Sequence, residues 1–442
     1  MAYIQGEARG QETMFPAALE DLVGWDHICR VIDAFVDGLR MSELGFERAE
    51  AAETGRPGYD PRDLLKLYLY GYLHQLRSSR RLEAECRRNV ELMWLLGRLY
   101  PDHKSIAEFR RMHREAVTAA GAELVRFARN CGLIKGEWVA IDGSKFRAVA
   151  SAASVRERKA LEKYLDSCAR ADEEQPVEID CSQVAAALQK LKQHAEPEAG
   201  FMRVGDGIAP AYNVQTAVDA EHALIVAHAV TLDAADNRQL EPMAEAARET
   251  LEVEQLNVVA DAGYSNGAQA ARLEAAGIVP HVPANRAVNN QGDGTLFDRS
   301  LFVYDEKSDS FRCPAGKTVA RKQLHRADRT VLYQARADDC GACSMKPRCT
   351  RSPQRMLSRH LDDDALNRMH ARATPALMRL RRSCVEHPFA HLKHRVFGHP
   401  RLLLRGLSGA RTEIALGIMA YNLKRMVNIL GGRTLTAKLT PA

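Results

Sequence analysis

The hydrophobic periodicity of this chain changes once, at Glu137, and that change limits what it can fold into. Up to about residue 135 apolar residues recur at helical spacing, as at Leu64, Leu65, Tyr68 and Tyr72 behind Asp60 and Pro61. There Asp60 caps a helix and Pro61 takes its first turn. From Glu137 short β-type runs alternate with helical ones. The runs are Trp138 to Ile141, Lys145 to Val149, Ala211 to Val218, His222 to Leu232, Leu256 to Ala260 and Ile278 to Val282, with helices at about 238–251 and 266–276. A helical domain followed by an α/β domain results. With 442 residues, 46% of them hydrophobic, the chain can fill the two or three cores this requires.

Two of the β-runs lead into a carboxylate. Val139-Ala140-Ile141-Asp142-Gly143 is one, and Val258-Val259-Ala260-Asp261-Ala262-Gly263-Tyr264 is the other. A third acid, Glu386, follows an arginine-rich stretch in Val385-Glu386-His387-Pro388-Phe389, with Lys393 seven residues on along the same helical face. Pro388 is tolerated in a first helical turn, which predicts a helix starting close to Glu386. Each acid also has an ordinary reading. Asp-Gly between strands is a hairpin signal, Asp261 suits a helix cap with Gly263 supplying a positive φ, and Glu386 with Lys393 suits a solvated charge pair. Taken together, three carboxylates suit two divalent ions roughly 4 Å apart acting on a phosphodiester, because such hard cations take oxygen ligands. Asp206, Asp219 and Asp236 rank lower as second acids, lying in turn-like or glycine-rich settings.

The remaining features bear on partners. The net charge is only +5, yet arginines concentrate at Arg77 to Arg114 and at Arg368 to Arg411, which fits a polyanion held along particular faces. In the helical region Ser105 and Glu108 stand at capping-box spacing. Helix, turn and basic helix form either a DNA-binding unit or a bundle with a solvated arginine face. Residues 154–195 read as a charged helical arm. Residues 285–375 break the α/β rhythm, with polar turns from Asn289 to Gly294, short strands near Val303 and Leu332, and Cys313, Cys340, Cys343 and Cys349. Those four of the ten cysteines are zinc ligands or packed reduced thiols; the scattered others read as small buried hydrophobes. No stretch reaches the roughly 18 apolar residues of a membrane span, and Met1 to Arg9 has no apolar signal core, so a cytoplasmic protein without disulfides is expected.

The runs around Asp142, Asp261-Ala262-Gly263-Tyr264 and Glu386 to Lys393 resemble the DDE transposases of bacterial insertion sequences, in the branch with a Tyr-Arg-Glu-Lys signature. That spacing falls on Arg382, Glu386 and Lys393, while Arg379 stands where the signature has tyrosine. The resemblance extends over Pro101 to Arg110, Tyr212 to Asp219 and the cysteine-bearing segment, and so over most of the chain. It implies an RNase H-like mixed sheet flanked by helices, with an all-α N-terminal domain and a small cysteine-containing insertion. The corresponding division is a helical DNA-binding domain at 1–135, a first core part at 136–284, an insertion at 285–375, a second core part at 376–430 and a tail at 431–442. The implied activity is cleavage at the ends of a mobile element and joining to target DNA. Asp142, Asp261 and Glu386 would hold two magnesium ions, for which manganese can substitute, and Arg382, Lys393, Lys145 and Tyr264 would contact DNA. The resemblance also implies a homodimer on terminal inverted repeats and target DNA, in a bacterial cytoplasm and at the nucleoid. Two alternatives are a DNA-binding protein that has lost its chemistry and an RNase H-like nuclease without strand transfer.

Overall fold

The computed structural model describes residues 18–50, 58–174, 185–186, 188–189, 196, 198–205, 207–284, 296–326 and 329–440. The chain divides into two compact units, one made of Met1–Cys131, Ala148–Pro197 and Ala390–Ala442, the other of Gly132–Arg147 and Glu198–Phe389. Asp206 and the turns at 289–294 lie outside the described residues.

The first unit is helical. Helices Pro61–Leu73 and Arg114–Asn130 pack on the long helix Gly406–Leu430, and Leu65, Tyr68, Tyr72, Ile414, Met419 and Leu423 are buried there. Tyr68 and Tyr72 are therefore core residues. Asp60 caps the Pro61–Leu73 helix, accepting from the Arg62 amide at 2.8 Å. Helix His103–Met112 differs from the sequence expectation: its cap is Asp102, which accepts from the amides of Lys104 at 2.9 Å and Ser105 at 3.1 Å. Ser105 instead donates its hydroxyl to Asp102, and Glu108 pairs with Arg111. An aspartate one residue before the helix reaches the first free amides better than a serine already inside it.

The segment after Phe389 departs from the expected division. Residues 390–442 belong to the helical unit, and the expected tail contains a helix, Gly432–Leu439. The reason is a buried ion pair. Glu413, fully buried, takes Arg77 at 2.7 Å and the amides of Leu403 and Leu404 at 2.8 and 3.0 Å. Arg110 is also buried and donates to the Arg77 carbonyl at 3.2 Å. Two arginines of the basic stretch thus build the helical core, while Arg80, Arg81 and Arg87 remain exposed. Helix Ala152–Glu174 is the start of the charged segment, tied at Arg158 to the Glu196 carbonyl at 3.0 Å.

The second unit holds two sheets. The first contains β1 (Trp138–Arg147), β2 (Gly200–Val204), β3 (Gly207–Asp219), β4 (Ile225–Thr231), β5 (Leu256–Val259) and β6 (Ile278–His281). β1 lies between β3, antiparallel to it, and β5, parallel to it; β6 continues parallel beyond β5, while β2 and β4 both pair with β3. The Asp142-Gly143 hairpin reading is corrected here, because β1 runs straight through both residues. Gly143 serves close approach instead: a Cβ there would lie 2.2 Å from Gln215 Nε2. The second sheet is an antiparallel meander of β7 (Val303–Asp305), β8 (Ser310–Arg312), β9 (Thr318–His325), β10 (Thr330–Ala335) and β11 (Met356–His360). Its core is Phe302, Phe311, Val319, Val331, Tyr333, Ala335 and Leu357.

A helix, Pro375–His391, closes this unit and contains Pro388 in its interior. The expected start near Glu386 is thus eleven residues too late. Cys384, Val385, Pro388 and Phe389 are buried along one side, and burial of that stripe outweighs the amide lost at proline. A π-helical turn, Leu392–Val396, follows.

Candidate active site

Strand register brings the first two acids together. Ala140 lies opposite Val259 in the parallel pair of β1 and β5, and Asp142 and Asp261 each stand two residues further on. One guanidinium joins them: Arg381 Nη2 lies 2.6 Å from Asp142 Oδ1 and 3.1 Å from Asp261 Oδ2. Asp261 uses its other oxygen to accept from the Gly263 amide at 2.8 Å, capping the 3-10 turn Ala262–Tyr264. Gly263 does not adopt a positive φ; a Cβ there would lie 2.9 Å from Asp261 Oδ1. The ordinary and the chemical reading of Asp261 hold at once, one oxygen each.

Asp142 is the more enclosed of the two, with a side chain 21% exposed against 48% for Asp261. Burial pushes its carboxyl up to about 6, against the opposing pull of Arg381 and the Gly143 amide, and the charges of Asp261 and Asp236 push the same way as burial. The Arg381 Nε, also buried, has no hydrogen-bond partner among the described residues.

A polar network backs this pair. Asp236 accepts from Asn213 Nδ2 and Gln215 Nε2, each at 2.7 Å, and pairs with Lys145 at 3.1 Å. The Tyr264 hydroxyl donates to Gln215 Oε1. Asn213 and Gln215 alternate along β3, so both point to the face that carries Asp236. Lys145 is thereby engaged by a carboxylate, and Tyr264 is fully buried. The tyrosine is a core residue with a satisfied hydroxyl and presents no ring face to a base. Burial, with the charges of Asp236, Asp142 and Asp261, pushes its phenol well up. Asp219 is a turn acid, taking the Glu221 amide at 3.0 Å.

Asp142, Asp261 and Glu386 do not form a group whose ligand atoms all lie within 4.8 Å of one another. Glu386 is exposed, and it makes no hydrogen bond or ion pair among the described residues. Five positions after Arg381, it projects well round the helix from the buried side that Arg381 shares with Cys384, Val385 and Pro388. Arg382 lies on the Glu386 side, exposed, with its Nε 3.4 Å from the Met378 carbonyl of its own helix. Lys393 falls in the π-helical turn, within the helical unit.

Arg381, Asn213 and Gln215 are absent from the sequence reading as site residues, and Asp236 enters it only as a lower-ranked second acid. A usable signal existed for the first, since an arginine in phase with the apolar stripe of a helix must face something acidic or leave its charge buried unpaired. Cys313, Cys340, Cys343 and Cys349 line one small cavity beside the second sheet.

Three family models match. A Transposase domain (DUF772) matches residues 17–112, and two models described as Transposase DDE domain match residues 207–338 and 312–427. Asp261 and Glu386 fall inside the matched segments and Asp142 outside them. No curated protein matches in sequence. Among solved structures the chain is similar to a piggyBac transposase synaptic complex with hairpin DNA, at 9% identity over 93% of this chain and 78% of that one, with a TM-score of 0.35. That likeness is too distant to carry argument. The helical region and the two-sheet region, including the strand end at Asp261 and the helix bearing Glu386, are thus matched independently and to the same activity class, and the chain belongs to the DDE transposases.

Proposed function

We propose that this protein cleaves DNA at the ends of a mobile element and joins the freed ends to target DNA, using an RNase H-like core in which Asp142, Asp261 and Glu386 hold divalent ions. The observation that carries the reading is the pair of strand-borne carboxylates bridged by a single cation, Arg381. The mixed sheet supports it, with antiparallel β3 and parallel β5 on either side of the strand that bears Asp142.

The donor set fits a hard divalent ion. Both Asp142 and Asp261 present one oxygen to the same positive group, and Asp142 is buried enough that its charge requires a nearby cation. A bound magnesium or manganese ion would activate water or a 3′-hydroxyl and stabilise the leaving oxygen. The chain's own part is positioning. Asp236, held by Asn213, Gln215 and Lys145, fixes the face of β3 beside Asp142. Arg381 must leave at least one carboxylate when an ion binds, and its fork then suits a phosphate oxygen. Arg382 and Lys393 suit the phosphate backbone, and Glu386 would supply the third carboxylate. Terminal inverted repeats and target DNA are the partners, with a dimer holding two ends together.

The test is cleavage of a duplex carrying the flanking ends, with magnesium, by the intact protein and by Asp142→Asn, Asp261→Asn and Glu386→Gln. Each variant is expected to lose cleavage by at least about a hundredfold while keeping DNA binding by gel shift. Retained cleavage in any variant removes that residue from the site. Joined products in the intact reaction separate a transposase from a nuclease, and binding without cleavage by the intact protein points to an inactive DNA-binding relative.

A further inference from the structure

The four cysteines of the second sheet converge from separate elements. Cys313 follows β8 in a tight turn, in which the Gly316 amide donates to the Cys313 carbonyl at 2.8 Å and the Cys313 amide to the Lys317 carbonyl at 2.9 Å. Gly316 has φ +76°, which an L side chain rarely adopts, so the Cys-Pro-Ala-Gly turn holds one shape. Cys340 lies in helix Ala337–Gly341, and Cys343 follows in a turn joined by the Cys343 amide to the Cys340 carbonyl at 3.4 Å. Cys349 ends helix Lys346–Cys349. All four line one cavity together with Val319 and Ala335, and none forms a disulfide.

The surrounding structure is short of other support. The connection from β10 to β11 contains helices of only five and four residues, far below the roughly 12 at which a helix holds itself in water. Among the described residues the sheet core holds seven buried residues, and Cys313, Cys340 and Cys349 pack against it. A core this small ordinarily takes a covalent or metal staple. The charges nearby suit a tetrathiolate, which carries more negative charge than one divalent ion neutralises. Lys317, Lys346 and Arg355 line the same cavity, with Asp339 the one acid among its lining residues. Arg355 is buried and donates to the Cys349 carbonyl at 2.7 Å, fixing the backbone of that cysteine.

We propose that Cys313, Cys340, Cys343 and Cys349 form a structural tetrathiolate site for a divalent zinc ion that ties the β10–β11 connection to the turn after β8. A pair spaced by two residues and two single thiols give the four soft ligands zinc takes. Among the described residues the group of three ligand atoms that all lie within 4.8 Å of one another is instead His27, Cys29 and Glu91 in the helical unit. No three of the four sulfurs lie within 4.8 Å of one another, so binding the ion requires them to move closer together. The rival group is already satisfied without metal: His27 Nδ1 accepts from the Cys29 amide at 3.3 Å, its Nε2 faces Glu91 at 3.4 Å, and the Tyr70 hydroxyl donates to Glu91 at 2.7 Å.

The experiment uses the full-length chain and no DNA. Zinc content is measured after purification, added cobalt is read by its thiolate charge-transfer band, and alkylation by iodoacetamide is mapped by mass spectrometry with and without zinc. About one zinc per chain, a tetrathiolate cobalt spectrum and zinc protection of the four named thiols are expected, with Cys343→Ser losing the metal and Cys29→Ala keeping it. Absence of binding, equal alkylation with and without zinc, or metal that survives Cys343→Ser but is lost in Cys29→Ala overturns the assignment. Alkylation mapping of the unmodified chain decides the matter even where Cys343→Ser fails to fold.

Discussion

Asp142 shows how one residue's surroundings set both chemistry and stability. Its carboxyl is pushed up to about 6, chiefly by burial. A carboxyl whose folded pKa exceeds its unfolded value stabilises the fold below the unfolded value, about 4, and loses that contribution as pH rises through the folded one. The window here runs from about 4 to about 6. At pH 7.5 without divalent ions the ionised Asp142 therefore costs stability despite Arg381. Asp142→Asn is expected to be more stable than the parent by about 1–3 kcal/mol under those conditions, with the difference shrinking towards pH 4. Thermal melts across that range check it. A lower melting temperature for Asp142→Asn at pH 7.5 would mean that the guanidinium bridge outweighs the burial of charge.

At the scale of elements, the basic stretch divides into structural and exposed arginines. Arg77 meets a Glu413 with no exposed surface, so removing the arginine leaves a buried charge whose remaining partners are the Leu403 and Leu404 amides. Arg77→Met is expected to cost about 3–5 kcal/mol in chemical unfolding, whereas Arg81→Met should leave the midpoint in place. An unchanged midpoint for Arg77→Met, with weakened DNA binding, would return that residue to a surface role. The same elements show what sequence could and could not disclose. Asp60-Pro61 and the strand before Asp261 were legible because cap chemistry and apolar runs act within a few residues. The continuity of β1 through Asp142-Gly143 was not, because it depends on pairing with β3 and on the close approach of Gln215. The start of the helix through Pro388 is not legible from sequence for a related reason: its burial stripe is a tertiary fact. The choice of Arg381 over Arg382 as the bridge follows from one helical step of phase, which cannot be set until the helix start at Pro375 is known.

Over the whole molecule, chain order and compact units do not coincide. The helical unit draws on three separate segments, and its third supplies the helix on which Pro61–Leu73 and Arg114–Asn130 pack. Met419 sits over Gly121, where an added Cβ would lie 3.5 Å from its Cγ, and Tyr72 meets Phe397 edge-on at 5.9 Å between ring centres. A fragment of residues 1–131 keeps most of the expected N-terminal domain at 1–135 but loses these partners, exposing a long apolar face and leaving Arg77 without Glu413. Such a fragment is expected to keep helical far-ultraviolet circular dichroism, lose its near-ultraviolet signal and bind hydrophobic dye, as loosely packed states do. Joining residues 390–442 to it through a flexible linker should restore a cooperative melt, because the missing layer of the core returns. A sharp transition and native near-ultraviolet signal from 1–131 alone would show that the N-terminal helices carry their own core. The C-terminal helix would then be an addition to that domain, not the layer that completes it.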